Sequence, residues 1–425
     1  MGIYLVVAFM ILGALGVPIA VSLALSAVLV YAVHGTMPTA IVMHRMTGGM
    51  AQYILLAIPF FVLAGQLMNT GGVTRRIFDF ANCLVGHIPG GLGHANVLAS
   101  IIFAGMSGSA VADAGGLGAI ELQAMKDEGF DVGFRTAVTI SSSIIGPIIP
   151  PSIPMVVYGV MAEVSTGSLF MGGVIPGLMM GVGLMAMVYF LALKADYPCR
   201  ARPTLREIWD SFREAFLPIV TPVIIIGGII SGVFTPTEAA VVASVYAFLL
   251  GTVIYREMTL KDIAHVILDS IVTSATVVFV IGCASAFAWL LAVEGVPNMV
   301  TQAVLSFSDN PAVILLLLNI IFLILGMFME ALSIMVILVP VIVPLIKAVG
   351  IDPLHFGLVM VLNLMIGLAT PPFGMSLYTV AKLEKVSPEA LFRPIIPFII
   401  PLVVVLFLIT YIPGLVLWLP RLIMG

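Results

Sequence analysis

Residues Ser141 to Pro154 read SSSIIGPIIPPSIP, a run in which one glycine and four prolines interrupt an otherwise apolar and hydroxyl-bearing segment. A proline inside a helix removes one backbone hydrogen bond and clashes with the preceding turn, so a continuous helix cannot run through this stretch. The break frees carbonyl groups at the end of one half-helix and amide groups at the start of the next. The stretch therefore predicts a discontinuous helix whose broken centre can bind a cation or an anion.

This break belongs to a segment that occurs twice in the chain. The stretch Gly105–Pro151 matches, without a gap, the stretch that starts 221 residues later at Gly326. The matching positions are Gly105-Met106 with Gly326-Met327, Lys126 with Lys347, Gly129 with Gly350, Asp131 with Asp352, Gly146 with Gly367, and Pro150-Pro151 with Pro371-Pro372. Internal symmetry of this kind, with hydrophobic segments interrupted at corresponding places, is typical of secondary transporters.

The composition indicates a membrane protein before any motif is considered. Apolar residues make up 61% of the 425 residues, charged residues only 9%, and the mean hydropathy is +1.22. A membrane-spanning helix needs about 20 apolar residues. Charge-free runs of that length recur at Thr136–Ala162, Val164–Leu193, Ser270–Val293, Asn310–Met329, Phe356–Ala381 and Pro394–Pro420. We therefore expect an all-α polytopic membrane protein, in which Pro- and Gly-broken segments either form hairpins that enter and leave by the same face or cross fully, since hydropathy alone does not distinguish the two.

The most charged part of the chain, Lys194–Glu214, separates the two repeats. The positive-inside rule predicts that this linker is cytoplasmic. Its segment Leu205–Phe216 has apolar residues at helical spacing with charges between them, which predicts an interfacial amphipathic helix. The expected organisation is therefore a first repeat over residues 1–200 (hairpin and broken helix at about 100–160), a linker over 201–215, and a second repeat over 216–425 (hairpin and broken helix at about 322–381).

A carboxylate and several hydroxyl groups follow the start of the first repeat. Residues Gly105–Asp113 read GMSGSAVAD in otherwise apolar sequence. An ionisable residue within a membrane segment is costly and by default functional. Ser107, Ser109 and Asp113 are hard oxygen ligands, which suit an alkali cation or a proton better than a transition metal. The alternative is close helix packing by small residues, which explains the serines but not the acid.

A second intramembrane acid, Glu330, occupies the position that corresponds to Ser109. Gly326 precedes it, Ser333 follows it, and Thr370 precedes the second double proline. Asn363, close to that second break, is equally compatible with binding a polar ligand and with an interhelical hydrogen bond. The second repeat therefore predicts a second polar site within the membrane.

Several function classes are disfavoured by the sequence. A net charge of −4, with no basic patch interleaved with aromatic residues, indicates no nucleic-acid partner. The motif GxxxxGK[ST] is absent, so the chain does not use ATP directly. No His-Glu metal motif, paired catalytic aspartates or Ser/His pairing occurs at usable spacing, so we do not expect an enzyme. Energy must then come from an ion gradient.

Three motifs in order resemble the large membrane subunit of the tripartite ATP-independent periplasmic (TRAP) transporters, within the ion transporter superfamily. They are SGSAVAD at Ser107–Asp113, GPIIPPSIP at Gly146–Pro154 and GLATPP at Gly367–Pro372. The resemblance implies two inverted-topology repeats with re-entrant helical hairpins and broken helices. It also implies elevator-type transport and scaffold domains in the bacterial inner membrane. It also implies uptake, driven by two or more Na+ ions, of an organic acid such as a C4-dicarboxylate or sialic acid. The partners would be a small four-helix membrane subunit and a soluble periplasmic substrate-binding protein.

The resemblance also assigns residues to sites. The first sodium site would comprise Ser107, Ser109 and Asp113 with backbone at Gly146 and Pro150, and the second would include Gly326, Glu330 and Thr370. The substrate would be bound at the breaks by hairpin amides, half-helix N-termini and groups at Ser142, Ser152, Asn363, Thr370, Pro371 and Pro372. Two departures stand out: the family more often has Asp at position 330, and Glu121–Met125 reads ELQAM where relatives usually have IPAM.

Three alternatives stay open at this stage. A stand-alone sodium or proton symporter for dicarboxylates would share the broken repeats but work without partners. An intramembrane enzyme is a different class, for which no motif is present. A purely structural channel subunit would give uptake that does not depend on an ion gradient.

Overall fold

A computed structural model describes residues 2–34, 40–195 and 197–424. Those residues form helices joined by short loops and contain no strand. The helices are α1 (Gly2–Ala14), α2 (Ile19–His34), α3 (Ala40–Met50), α4 (Ala57–Thr70), α5 (Val73–Val85), α6 (Gly91–Ser107), α7 (Ala110–Gly115), α8 (Leu117–Asp127), α9 (Val132–Ser143), α10 (Ile153–Ala162), α11 (Thr166–Ala195), α12 (Leu205–Ile230), α13 (Pro236–Leu249), α14 (Leu260–Val293), α15 (Val296–Phe307), α16 (Pro311–Phe328), α17 (Ala331–Ala348), α18 (Pro353–Ala369), α19 (Met375–Glu384), α20 (Phe392–Tyr411) and α21 (Gly414–Met424).

The helices are long and apolar enough for a polytopic membrane protein. Within the described ranges, eight helices have the length and composition to cross a bilayer, and shorter apolar helices accompany them. Three of those shorter helices, α6, α10 and α18, lie in or beside the two repeated segments. Short helices of this kind are expected where hairpins and broken helices replace full crossings.

The first hairpin consists of α6, which leads into the interior of the protein, and of α7 and α8, which lead back to the end where α6 started. The chain reverses at Gly108, whose φ of +63° favours glycine because it has no Cβ. The start and the end of the hairpin lie at the same end of the molecule. Arg200, which follows α11, contacts both ends. Its backbone N–H donates to the carbonyl of Gly86, which precedes α6 (2.9 Å), and its side chain pairs with Glu128, which follows α8. The first hairpin is therefore re-entrant, with its base at what we call the linker end.

The first broken helix starts at the same end. Asp131 caps α9 by accepting from the Phe134 N–H (3.0 Å), and the Tyr197 hydroxyl donates to the same carboxylate. The helix stops at Ser143, and α10 resumes at Ile153 after the predicted break. The Ile153 N–H faces the Gly108 carbonyl at 3.4 Å. The tip of the first hairpin thus rests on the break of the helix that follows it.

The second repeat has the same elements in the opposite direction. Hairpin α16–α17 turns at Met329-Glu330, and the broken helix is α18–α19 with its break at Thr370–Gly374. At the linker end, Arg135 at the start of α9 pairs with Glu384 at the end of α19 (2.6 Å). At the other end, the Tyr158 hydroxyl near the end of α10 donates to the Pro353 carbonyl at the start of α18 (2.7 Å). The two broken helices therefore lie antiparallel, as inverted-topology repeats require.

The linker differs in part from its sequence prediction. The amphipathic segment Leu205–Phe216 does form a helix, and Thr204 and Glu207 cap its start with reciprocal hydrogen bonds. However, this segment does not end at residue 216, because it continues as α12 to Ile230. Pro218 and Pro222 lie inside the helix without ending it. The boundary between linker and second repeat at 215–216 therefore has no structural counterpart, and the proposed domain division stays a prediction.

We expect Gly367→Ala to destabilise the protein because the backbones of the second hairpin and of its broken helix are in direct contact at this position. A Cβ added at Gly367 would lie 2.6 Å from the Gly326 Cα and carbonyl carbon, so backbone would have to move. Overpacking of this kind costs about 1–3 kcal/mol. The midpoint of thermal unfolding of the purified protein should fall. Gly227→Ala in α12 is the matched control, because a Cβ there meets nothing within 4 Å, and equal midpoints for the two variants would contradict the expectation.

Candidate functional site

The first hairpin places Asp113 in the interior, next to the break of the first broken helix. Asp113 is 2% exposed, and its Oδ1 accepts a hydrogen bond from the Ser107 hydroxyl. Its Oδ2 is also buried, and it has no hydrogen-bond partner among the described residues. A Cβ at Gly146 would overlap that same oxygen, so the glycine lets the backbone of the break approach the carboxylate. A buried carboxylate oxygen without a partner, beside a hydroxyl group and a backbone break, fits a small cation.

The other residues predicted for the first site lie around Asp113 in different roles. Ser109 caps α7, where its hydroxyl oxygen accepts from the Ala112 N–H (3.4 Å). Ser109 also lines a cavity of about 470 Å³ between the hairpins and α14. Pro150 lies in the break, four residues after Gly146. The structure thus brings Ser107, Asp113 and Gly146 together most closely.

The second hairpin places Glu330 at its turn, where it caps α17. Glu330 Oε2 accepts from the Ser333 N–H (3.3 Å) and from the Ser333 hydroxyl (3.2 Å). The close approach of Gly326 to Gly367 holds this turn against the second broken helix. Thr370 ends α18, and its hydroxyl donates to the Ile366 carbonyl (2.7 Å), which leaves the oxygen able to accept. Hydroxyl, carboxylate and backbone groups therefore meet at the second break as well.

The residues predicted to bind substrate fall into two groups. Ser142 donates to Asn96 Oδ1 (2.6 Å), and the Asn363 amide donates to Asn319 Oδ1 (2.8 Å) and to the Asn319 carbonyl (2.9 Å). Both side chains thus form contacts between helices. For Asn363 this is the interhelical hydrogen bond that the sequence left open beside a ligand contact. Ser152 caps α10 and donates to the Pro147 carbonyl (2.5 Å). Pro371 and Pro372 are half-buried at the second break.

A cavity of about 470 Å³ lies between the hairpins, the broken helices and α14. The first repeat contributes Gly108–Val111, Pro147, Ile153 and Pro154, and the second contributes Glu330–Leu332, Met365, Leu368 and Met375. Helix α14 supplies Val272, Thr273, Thr276, Val277 and Val280. Both predicted ion sites therefore border one space. None of the described residues that line it is basic, so a bound anion must be held by backbone amides, hydroxyls or cations.

Sequence reasoning missed Thr273, Thr276 and Ser376. Thr273 and Thr276 lie in a charge-free run that reads as an ordinary membrane helix, so nothing local distinguishes their cavity-facing positions from lipid-facing ones. Ser376 follows the second break, is fully buried, and its hydroxyl has no partner among the described residues. A search for hydroxyl residues in the first turn after the break would have found Ser376.

Glu121 is buried in the return arm of the first hairpin. It is 1% exposed, and its Oε1 has no hydrogen-bond partner among the described residues. Its carboxylate lies within electrostatic reach of the Asp113 carboxylate. The first hairpin thus contains two buried acids, which repel one another when both are ionised.

The geometry of two hairpins meeting two broken helices has a counterpart in known proteins. A family model described as "Tripartite ATP-independent periplasmic transporter, DctM component" matches residues 6–415. The chain belongs to this family. It is similar to the sialic acid TRAP transporter large permease protein SiaM of Vibrio cholerae, with 49% identity over 90% of this chain and 89% of the relative.

Relatives with other named substrates also match over most of the chain. The 2,3-diketo-L-gulonate TRAP transporter large permease protein YiaN of Escherichia coli is 40% identical over 95% of both chains. The C4-dicarboxylate TRAP transporter large permease protein DctM of Pseudomonas aeruginosa is 42% identical over 87% of this chain and 86% of the relative. Among solved structures, the YdaH transporter of Alcanivorax borkumensis shares the fold, with a TM-score of 0.63 and 12% identity over 88% of this chain and 87% of that one.

These matches confirm the resemblance drawn from the three motifs. The chain is the large permease component of a TRAP transporter, a multi-pass protein of the bacterial inner membrane, and not an enzyme. A tripartite transporter has two further components, a small membrane subunit and a periplasmic binding protein, whose identities for this chain the comparisons leave open.

Proposed function

We propose that this permease takes up an organic acid by sodium-coupled secondary transport. The observation that carries the proposal is the repeated placement of a carboxylate: Asp113 and Glu330 each lie in the second arm or at the turn of a hairpin, against the break of the following helix. Each acid is accompanied by hydroxyl and backbone oxygens, which are the ligands that suit an alkali cation. The sodium ions would neutralise charges that otherwise oppose movement through the bilayer.

At the first site, Ser107, Ser109 and Asp113 with backbone at Gly146 and Pro150 would hold one sodium ion. The support is the unpartnered Asp113 Oδ2 and the missing Cβ at Gly146. At the second site, Gly326, Glu330 and Thr370 would hold another. There Glu330 still has one carboxylate oxygen that is not used in capping α17. The longer Glu side chain, where the family more often has Asp, fits because it reaches the cavity while capping the helix.

The substrate would be delivered by a periplasmic binding protein, and a small four-helix subunit would complete the membrane part. The transported acid would occupy the cavity between the hairpins and α14. The relatives described above are named for sialic acid, 2,3-diketo-L-gulonate or C4-dicarboxylate. The substrate class common to these names is an organic acid. Transfer would follow an elevator mechanism, in which hairpins and broken helices move as one body against α14 and its neighbours.

Contacts across the two repeats favour such a rigid moving body. The Arg135–Glu384 ion pair joins the broken helices at the linker end, and the Tyr158–Pro353 hydrogen bond joins them at the other end. By contrast, the surface between hairpin tips and α14 contains the cavity. Helix α14 also packs directly against α17 of the second hairpin, so the cavity occupies only part of this surface. A body tied at both ends can slide along such a surface as a unit.

The test is uptake of labelled organic acids into proteoliposomes that contain this chain, its small subunit and its binding protein. Uptake that needs an inward sodium gradient and the binding protein, and that is lost in Glu330→Gln, would support the proposal. Glu163→Gln is the control, since Glu163 is an exposed acid at the end of α10. Uptake without the binding protein would instead indicate a stand-alone symporter. Gradient-independent uptake would indicate a channel subunit and contradict sodium coupling.

A further inference from the structure

Helix α14 forms one wall of the cavity, and the character of that wall changes along the helix. We infer that the cavity is reached from the linker end, along one side of α14, and that it is closed toward the opposite end. The transported acid would leave along that side of α14 into the compartment that contains the linker. This inference rests on the proposed transport function and adds the route of release to it.

One side of α14 is polar in the first half of the helix. Asp269, Thr273 and Thr276 follow one another at spacings of four and three residues, which places them on the same side. All three are exposed, and Thr273 and Thr276 line the cavity. An ionised side chain on a membrane helix faces water or a polar partner, because lipid offers it neither. This side of α14 is therefore suited to a water-filled space.

A different side of α14 carries exposed residues that are apolar. They repeat at spacings of three and four residues and form a second stripe: Leu268, Ile271, Ala275 and Phe279. Apolar side chains of this kind are well solvated by lipid tails. The helix thus has a lipid-facing side and a cavity-facing side, and Thr273 and Thr276 belong to the second.

The cavity-facing side becomes apolar and buried in the second half of α14. At the same spacing it next carries Val280, Cys283 and Phe287. Val280 lines the cavity, but Cys283 and Phe287 are only 0% and 2% exposed. Phe9 of α1 covers Phe287, with 5.5 Å between the ring centroids. Helix α17, which leads from the cavity to the opposite end, packs against α14 and α15. Access along α14 therefore ends near Val280.

The polar half of α14 leads to the linker end. The helix begins shortly after Glu257, whose carboxylate pairs with Arg76 of α5 (2.7 Å), and α5 leads into the base of the first hairpin. Asp269 is the last charged residue of α14. From Asp269 to Thr276 the helix makes two turns, which corresponds to about 10 Å along its axis. Solution at the linker end thus lies close to the cavity.

A second wall of the cavity leads to the same end. Met375 of α19 lines the cavity and also lines a neighbouring cavity of about 370 Å³, which continues to Thr379 and Lys382. Their spacing places these three residues on one side of α19. Glu384, near the end of α19, pairs with Arg135 at the linker end. Lys382 therefore places a positive charge near the mouth of the route, where it attracts an anionic acid.

The two ends of the cavity are thus not equivalent in this conformation. An acid between the hairpins can reach solution past Thr276 and Asp269, whereas Phe287 and α17 block the way to the opposite end. The positive-inside rule predicts that the linker is cytoplasmic. The conformation is therefore suited to release of the acid, and not to loading from a periplasmic binding protein.

The test is the accessibility of single cysteines to a charged maleimide that does not cross membranes. The three native cysteines are replaced by serine, and one cysteine is then introduced by Thr273→Cys, Thr276→Cys or Ala275→Cys. Ala275 is the matched control, because it is the neighbour of Thr276 at the same depth but belongs to the lipid-facing side. A chain that retains only Cys199, which is exposed in the linker, identifies the linker side. Labelling is followed in right-side-out and inside-out membrane vesicles that contain the chain and its small subunit, without binding protein.

We expect Thr273→Cys and Thr276→Cys to be labelled from the same side of the membrane as Cys199. Ala275→Cys should react at least about tenfold more slowly, because a thiol that faces lipid forms little of the reactive thiolate. A chain that retains only Cys283 should also be protected, because Cys283 is buried beyond the closed end of the cavity.

Two results would overturn the inference: labelling of Thr276→Cys no faster than that of Ala275→Cys, or labelling as fast from the side opposite to Cys199. The thermal unfolding midpoint of each variant, compared with the cysteine-free chain, detects a folding defect, and Thr273→Cys is an independent second probe. If the labelling contradicted the route while sodium-driven uptake persisted, the transport proposal would stand alone. If the labelling agreed but uptake did not depend on sodium, the route would stand and sodium coupling would fall.

Discussion

Replacing Asp113 with Asn is expected to abolish sodium-driven uptake while leaving the fold intact. The side chain keeps its size, and the Ser107 hydroxyl can still donate to the amide oxygen. The change removes the negative charge that Asp113 contributes to the first site and leaves Glu121 as the other buried acid of this hairpin. Loss of a charge-assisted ligand in a buried site costs about 3 kcal/mol, or roughly 100-fold in cation affinity. Initial uptake rates at fixed sodium concentration measure this loss.

Asp127→Asn is the control for that experiment. Asp127 lies in the same return arm, but it is exposed at the hairpin base and accepts from Gln123 (2.7 Å). Its uptake rate should match wild type. If Asp113→Asn transported at the wild-type rate with the same sodium dependence, the first sodium site would be wrongly assigned.

The second large effect concerns the ion pair between Arg135 and Glu384. The guanidinium binds both carboxylate oxygens (2.9 and 2.6 Å) and also donates to the Phe130 carbonyl (2.8 Å). The two side chains are only 7% and 8% exposed. Removing one partner leaves the other buried and unpaired, which costs about 3–5 kcal/mol. We therefore expect Arg135→Leu and Glu384→Leu each to lower the thermal unfolding midpoint strongly.

The double variant Arg135→Leu/Glu384→Leu should be less damaging than either single one, because it leaves no unpaired charge. The control is Arg206→Leu, whose partner Asp210 lies at 3.9 Å with both side chains exposed. Such surface pairs contribute little, so its midpoint should stay close to wild type. Additive losses in the double variant would show that the two residues do not stabilise the protein as a pair.

The breaks and the acids were predictable from the sequence because their signals are local. A double proline close to a glycine strongly disfavours a continuous helix, so the breaks before Ile153 and Met375 were expected. An acid within an apolar run is conspicuous in the same way, which is how Asp113 and Glu330 were found. The 221-residue repeat then predicted two hairpins and two broken helices, and the all-helical fold confirms this architecture.

Features that depend on contacts distant in sequence were not predictable. Arg135 and Glu384 are 249 positions apart, and neither lies in a sequence motif that predicts an ion pair. The hydrogen bond between Asn319 and Asn363 could not be separated from a ligand contact without knowing which helices pack together. The amphipathic linker continues into α12 because an apolar run follows it directly, and Pro218 and Pro222 lie inside this helix without ending it. The role of Thr273 and Thr276 depends entirely on which face of α14 meets the cavity.

The most direct test of the account is the number of sodium ions bound per chain, measured with radioactive sodium on the purified complex. Wild type should bind at least two, Asp113→Asn should bind one fewer, and Glu330→Gln should also bind one fewer. The double variant should lose both. An unchanged number of bound sodium ions in both single variants would contradict the claim that the two hairpin acids hold the coupling ions.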